Sequence, residues 1–213
     1  MLTRRKAILV TGLFTAIWLA AVSLGLRTLA NYENTPGNAG MVPDSWPVAS
    51  RIPREKDRAT LVMFAHPRCP CTRASIAELA QIIAQVQGKV SAHVLFLKPA
   101  NSGSDWDDTD LRRSVAQIPG VAVAADVDCV EAGRFGAETS GHTFLFDVDG
   151  RRLFDGGITA SRGHAGDNIG QRAIVSLVNK HPAGRAQTHV FGCSLVDLKQ
   201  VANKAPCSKR ITN

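Results

Sequence analysis

Aromatic side chains are scarce in this chain, only 6% of 213 residues, with a single tyrosine. That is too few for the stacking platform on which single-stranded nucleic acid is held. Basic residues are in excess, giving a formal charge of +7, but no basic stripe runs through the sequence. Arg4, Arg5 and Lys6 supply +3 of that charge just before a long apolar run, and the +4 left from Arg27 onward is scattered. Nucleic-acid binding, which needs a concentrated basic footprint, is therefore excluded. Cysteine is sparse as well. Five cysteines in 213 residues exclude a disulfide-stapled miniprotein, and an odd count leaves at least one thiol free, metal-bound or paired with another chain. Hydrophobic residues at 45% and charged residues at 20% lie near globular averages, which excludes disordered, collagen-like and multi-span membrane chains.

What is present begins with a membrane segment. Ala7 to Leu26 contains twenty residues without a charge, about the span of a bilayer core at ~1.5 Å per residue. The Arg4-Arg5-Lys6 cluster before it places the N-terminus in the cytoplasm and the rest of the chain across the membrane. Small residues at Ala21-Val22-Ser23 would suit a cleaved signal peptide, but the apolar run is longer than such peptides use, so an uncleaved anchor is expected over 1–30. The expected location is the inner membrane, single-pass, with the soluble part in the periplasm, where disulfides persist. Residues 31–58, with Pro36, Gly37, Gly40, Pro43, Pro47 and Pro53, read as a linker in which Trp46-Pro47 either docks on the domain or marks the membrane interface. One domain follows at 59–185, with a C-terminal extension at 186–213.

Within the domain, strand and helix alternate. Thr60 to Phe64 is a short apolar run suited to a buried strand. Ile76, Leu79, Ala80, Ile83 and Val86 then follow the spacing of one helical stripe, ended by Gly88. Strands are expected over Val90–Leu97 and Val121–Val127, and short helices over Asp110–Ile118 and Cys129–Phe135. A hairpin turns at Asp147-Val148-Asp149-Gly150. Asp167 or Asn168 caps a last helix that buries Ile169, Ala173, Ile174, Leu177 and Val178. This order predicts an α/β domain, a central mixed sheet with helices on both faces, preceded by one transmembrane helix.

The chemistry concentrates at His66-Pro67-Arg68-Cys69-Pro70-Cys71, between the first strand and its helix. Pro70 suits the first helical position, which makes Cys69 the N-cap and Cys71 the second residue. Both sulfurs then lie near the unpaired N–H groups of the helix start, a setting that favours thiolate, the form that attacks disulfides and binds metals. Arg68 and Arg73 add positive charge, as would a protonated His66. Cysteines at i and i+2 can bridge if the chain bends. The small ring is expected to be strained, which raises the reduction potential toward oxidant or isomerase chemistry.

This arrangement resembles the thioredoxin fold over roughly residues 58–180, specifically the membrane-anchored TlpA/ResA type. The likeness rests on TLVMF before the cysteines, the helix after them, DVDCVEAGRFGA, and the hairpin TFLFDVDGRRLF. More closely, WPVASRIP, FAHPRCPCTRAS, ETSGHTFLFDVDG, GGITASRGHAGDN and VFGC resemble the anchored thioredoxin-like RedB family. The resemblance implies thiol–disulfide exchange with a protein thiol or disulfide substrate, recycling by a membrane redox partner, and no resident cofactor. It also implies that a more exposed Cys69 attacks and Cys71 resolves. Two departures stand out. The motif is Cys-x-Cys instead of Cys-x-x-Cys, and Gly141 or His142 stands where thioredoxins carry a cis-proline.

A metal reading competes. Two thiolates and an imidazole suit Cu(I) or zinc, and thioredoxin-like copper proteins of the Sco type use two cysteines and a late histidine. The corresponding set is Cys69, Cys71 and His142, with His66 as a further ligand candidate. A binding scaffold with an inactive site is the third reading. Cys193 either returns to the active face as a third thiol or is structural. Cys129 reads as structural, and Cys207, in a polar tail, could pair with Cys193. The glycine-rich stretch 156–168 reads as a hydrogen-bonded loop beside the sheet or as a partner-binding lip carrying Arg162, His164, Asp167 and Asn168.

Overall fold

The computed structural model describes residues 2–195, which fall into two compact units divided between Thr35 and Pro36. In the first unit, α1 (Leu2–Asn34) is one continuous helix. It is the one helix among the described residues long and apolar enough to cross a membrane, over Arg4–Asn34, with a mean hydropathy of 2.2 in its most apolar window. Leu9, Leu13, Ile17 and Trp18 are exposed along it.

The second unit is built on a five-stranded sheet. Its elements are β1 (Ala59–Ala65), α2 (Thr72–Val86), β2 (Val90–Lys98), α3 (Asp110–Ala116), β3 (Val121–Val127), α4 (Val130–Phe135), β4 (His142–Phe146), β5 (Arg152–Gly156) and α5 (Ile169–Val178). The strand order is β3-β2-β1-β4-β5, with β1, β2 and β3 parallel and the β4–β5 hairpin antiparallel. A parallel half joined by helices to an antiparallel hairpin, with the first strand central, is the thioredoxin-like arrangement.

Period-two alternation along the central strands makes two cores. Leu61, Met63, Val94, Phe96, Leu145 and Phe154 point to one face, under Leu79 and Ile82 of α2, Leu111 and Val115 of α3, and Ile174 of α5. Val62, Phe64, Leu95, Phe144 and Phe146 point to the other, under Phe135 of α4. Edge strand β3 has only β2 beside it and stays partly exposed, which its alanines tolerate. On α5 the buried stripe runs Gly170, Gln171, Ala173 and Ile174, and Ile169, expected inside, is exposed. A side chain at Gly170 would collide with the carbonyl of Gly157, so α5 lies directly on that backbone, while Ala173 and Ile174 stay buried as expected and Leu177 and Val178 pack partly buried against the core.

The segment expected as a linker is packed on the domain from residue 37 onward. Gly37 donates to the Val190 carbonyl and Trp46 to the Gly150 carbonyl. The Trp46 ring meets Phe135 and Phe146 edge-on at 5.2 and 5.1 Å. It therefore closes the second core instead of marking a membrane interface. The C-terminal extension also belongs to the domain as far as it is described. Gln187 bridges Asp155, and Leu195 is buried in the second core.

Candidate functional site

The chain leaves β1 at Ala65 and makes a tight turn before α2. His66 accepts at its carbonyl from Cys69 N–H at 3.2 Å, and Cys69 accepts from Thr72 N–H at 3.0 Å. α2 itself starts at Thr72 with Cys71 as N-cap, two residues later than the proline placement predicts. A tighter turn over Cys69–Thr72 occupies the expected first turn. Pro67 is buried and Pro70 exposed.

Three hydroxyl-centred bonds fix this turn. Ser140 Oγ accepts from His66 N–H at 2.8 Å and lies 2.8 Å from Thr72 Oγ1, which also donates to the His66 carbonyl at 3.3 Å. Gly141, with φ +90°, donates to the Phe64 carbonyl at 2.7 Å, and a side chain there would press on Ser75 of α2. Gly141, not His142, thus occupies the position beside the cysteine helix.

The same Ser140 receives the C-terminal extension. Its N–H donates to the Cys193 carbonyl at 2.8 Å, and Leu195 N–H donates to the Glu138 carbonyl at 2.9 Å. Gly192 lies so close to the Ser140 carbonyl that a Cβ would collide with it. Cys193 is thereby delivered to Cys69, and the two form a disulfide with Cα atoms 6.0 Å apart, inside the range a bridge needs. The expected Cys69–Cys71 bridge is not formed, and Cys71 is a free buried thiol. Cys69 and Cys71 share one tight turn with their sulfurs within 4.8 Å, but the Cys69 sulfur is bonded to Cys193. Cys193 arrives on a separate segment and can meet Cys69 directly.

Exposure also reverses the expected roles. Cys69 is 1% exposed, Cys71 8%, and Cys193 is half-buried, so Cys69 is not the accessible sulfur. The three sulfurs lie within 4.8 Å of one another. Cys129 is buried beside the carbonyl of Leu195, on the other core, and Cys207 lies outside the described residues.

The histidines do not join this cluster. His66 Nδ1 accepts from Arg68 N–H at 3.1 Å. The His142 ring stacks on Phe144 at 4.2 Å, on the face of the sheet that carries the second core, with neither ring nitrogen hydrogen-bonded among the described residues. Burial, with the charge of Arg152 second, pushes its pKa down to about 3. His142 is therefore neutral, and its 3.9 Å approach to Asp155 is no ion pair; Arg152 holds that carboxylate instead. Of the expected ligand candidates Cys69, Cys71 and His142, only the two cysteines lie together, and the group with its ligand atoms close enough to hold an ion is Cys69, Cys71 and Cys193. Arg68 is drawn over the Trp106 ring at 5.0 Å, and Arg73 pairs with Asp110 at the surface.

The glycine-rich loop is a brace. Glu78, wholly buried on α2, accepts from Gly166 N–H at 2.6 Å and from Asn168 Nδ2 at 3.1 Å. Asn168 caps α5 by accepting from Gln171 N–H at 2.8 Å, and Asp167 pairs with Arg172 outside. Arg162 donates to the carbonyl of Gly192, next to Cys193, while His164 is exposed and closes a small turn with Ser161. Glu78, Ser140 and Thr72 were not among the residues singled out in the sequence. Glu78 had a signal, a carboxylate among the apolar inner positions of an amphipathic helix, where burial demands donors.

No family model matches the chain, and no curated protein does. Among solved structures, an uncharacterized conserved protein from Geobacillus kaustophilus superposes with a TM-score of 0.55 at 18% identity, covering 76% of this chain and 92% of its own. A hypothetical protein from Sinorhizobium meliloti 1021 does so with a TM-score of 0.52 at 18% identity, covering 76% and 96%. At such identities the likeness is one of fold. A secreted disulfide oxidoreductase from Mycobacterium tuberculosis aligns more loosely, with a TM-score of 0.42 at 14% identity over 58% of this chain and 82% of its own.

Proposed function

We propose that this chain is a membrane-anchored thiol–disulfide exchange protein whose redox couple is Cys69–Cys193, with its domain on the extracytoplasmic side. The observation that carries the reading is the bridge itself, at the turn that leads from the central strand into α2, with the thiol of Cys71 within 4.8 Å. The apolar helix and the Arg4-Arg5-Lys6 cluster before it support the orientation, N-terminus in the cytoplasm and domain in the periplasm. The sequence likeness to RedB-type proteins supports the same placement.

The exchange follows from which sulfur is reachable. A substrate dithiol loses a proton, and its thiolate attacks Cys193 Sγ, the less buried end of the bridge. The Cys69–Cys193 bond breaks, a Cys193–substrate bond forms, and Cys69 leaves as thiolate. The second substrate thiolate displaces Cys193. The substrate ends as a disulfide, Cys69 and Cys193 as thiols, and two electrons have passed to the protein. The reverse sequence reduces a substrate disulfide, and a membrane redox partner restores the starting state.

The test is exchange with a reduced, unfolded protein dithiol as substrate and the full chain in detergent as reagent. One substrate disulfide should form for each Cys69–Cys193 bridge lost, and Cys193→Ser should abolish the transfer. Transfer that survives Cys193→Ser, or its absence in the intact protein, overturns the proposal.

A further inference from the structure

Three sulfurs within 4.8 Å are one more than a disulfide needs. We infer that, once the bridge is reduced, Cys69, Cys71 and Cys193 form a three-thiolate site for Cu(I), so that the bridge gates metal binding. The inference shares Cys69 and Cys193 with the proposed exchange and adds Cys71, and the binding of copper to the reduced site does not depend on any protein substrate.

The geometry needs little change. With metal–sulfur bonds of ~2.3 Å, three sulfurs around one ion stand ~4.0 Å apart. Cys71 already lies within 4.8 Å of both others. Cys69 and Cys193, no longer bonded, need only side-chain rotation to open to that spacing. Their backbones are held by Ser140, which fixes the His66 turn on one side and the Cys193 carbonyl on the other.

The donor set selects the ion. All three ligands are soft sulfurs, two of them nearly inaccessible to water at 1% and 8% exposure. No histidine or carboxylate completes a fourth position among the described residues. Zinc favours four ligands in closed sites, whereas soft thiolates select Cu(I). Binding releases three protons as three thiols become ligands, and copper stays Cu(I) throughout. Forming the bridge removes two ligands and expels the ion, the two electrons passing to a protein disulfide as in the exchange above.

The experiment titrates the reduced full chain in detergent, without oxygen, with Cu(I) against a chromophoric Cu(I) chelator, and with Zn²⁺ in parallel. One Cu(I) per chain is expected, with three sulfur neighbours by X-ray absorption. The oxidised chain should bind none at this site. Cys71→Ser keeps the Cys69–Cys193 bridge, yet should bind Cu(I) more than ~100-fold more weakly, since even outer-shell changes cost 10–100-fold. Cys207→Ser should leave binding unchanged. Equal binding by Cys71→Ser, equal binding by the oxidised chain, a loss with Cys207→Ser, or Zn²⁺ held in preference to Cu(I) would each overturn the assignment. The exchange assay on the same preparations separates the two proposals. Lost copper binding with intact exchange rejects only this inference, and lost exchange with intact copper binding rejects only the other.

Discussion

Opening the bridge between Cys69 and Cys193 should cost the domain a large part of its stability. The cysteines are 124 residues apart, and closing so long a loop restricts the unfolded chain by about 5 kcal/mol in the chain-entropy model. For a domain of this size each kcal/mol moves Tm by ~2–4 °C, so reduction or Cys193→Ser should lower it by roughly 10–20 °C. The assay is thermal unfolding of the full chain in detergent, followed by tryptophan fluorescence, with and without a dithiol reductant. Cys71→Ser, which leaves the bridge in place, serves as the control. By linkage, the folded domain favours the bridge over the dithiol by the same ~5 kcal/mol, about 100 mV for a two-electron couple. That is opposite in sign to the effect expected of a small strained Cys69–Cys71 ring. If reduction shifts Tm by less than ~2 °C, the bridge does not close the native fold and the reasoning fails.

Other perturbations test the scaffold. Glu78→Ala strips the acceptor from Gly166 N–H and Asn168 Nδ2, which should destabilise the domain by about 1–3 kcal/mol in urea unfolding and hasten proteolysis at residues 160–166. An unchanged midpoint would show that the loop is not braced by α2. Trp46→Ala should cost about 2–4 kcal/mol, because it empties the edge-on site between Phe135 and Phe146. A neutral effect would detach residues 36–58 from the core. His142 is held neutral by burial, with its pKa pushed down to about 3, whereas in the unfolded chain it titrates near ~6.5. The unfolded state therefore takes up the proton first, and stability present above pH ~6.5 is lost as pH falls toward 3, by about 1.4 kcal/mol per unit. His142→Phe should flatten that slope, and an unchanged slope would assign it to other groups.

The sheet and its helices were legible because their signals are local. The apolar run at Thr60–Phe64, the stripe of α2 and the Asp147–Gly150 turn each specify an element from its own residues; the run and the turn fall within two residues of the observed bounds, and the stripe ends with α2 at Val86. The Cys69-Pro70-Cys71 turn was equally legible as a strand-to-helix junction. Its partner was not. Whether Cys193 meets Cys69 or stays structural depends on where the fourteen residues between α5 and Cys193 travel, and that path is set by long-range bonds to Ser140 and Glu138. Residues 36–58 have no periodicity because they form no element, yet the partly buried Trp46 ring packs edge-on against Phe135 and Phe146 of the second core. The place of His142 turned on one residue of register, since β4 begins its pairing at His142, opposite Phe64, and Gly141 stands one residue before it.

The most direct test of the central claim is a redox titration of the full chain, with thiols trapped at each potential and linkages read by mass mapping. A single reversible two-electron step is expected, in which a Cys69–Cys193 linkage is replaced by two thiols, with Cys71 free in the oxidised form. A Cys69–Cys71 linkage, or a Cys69–Cys193 bridge that opens only when the domain unfolds, would contradict it.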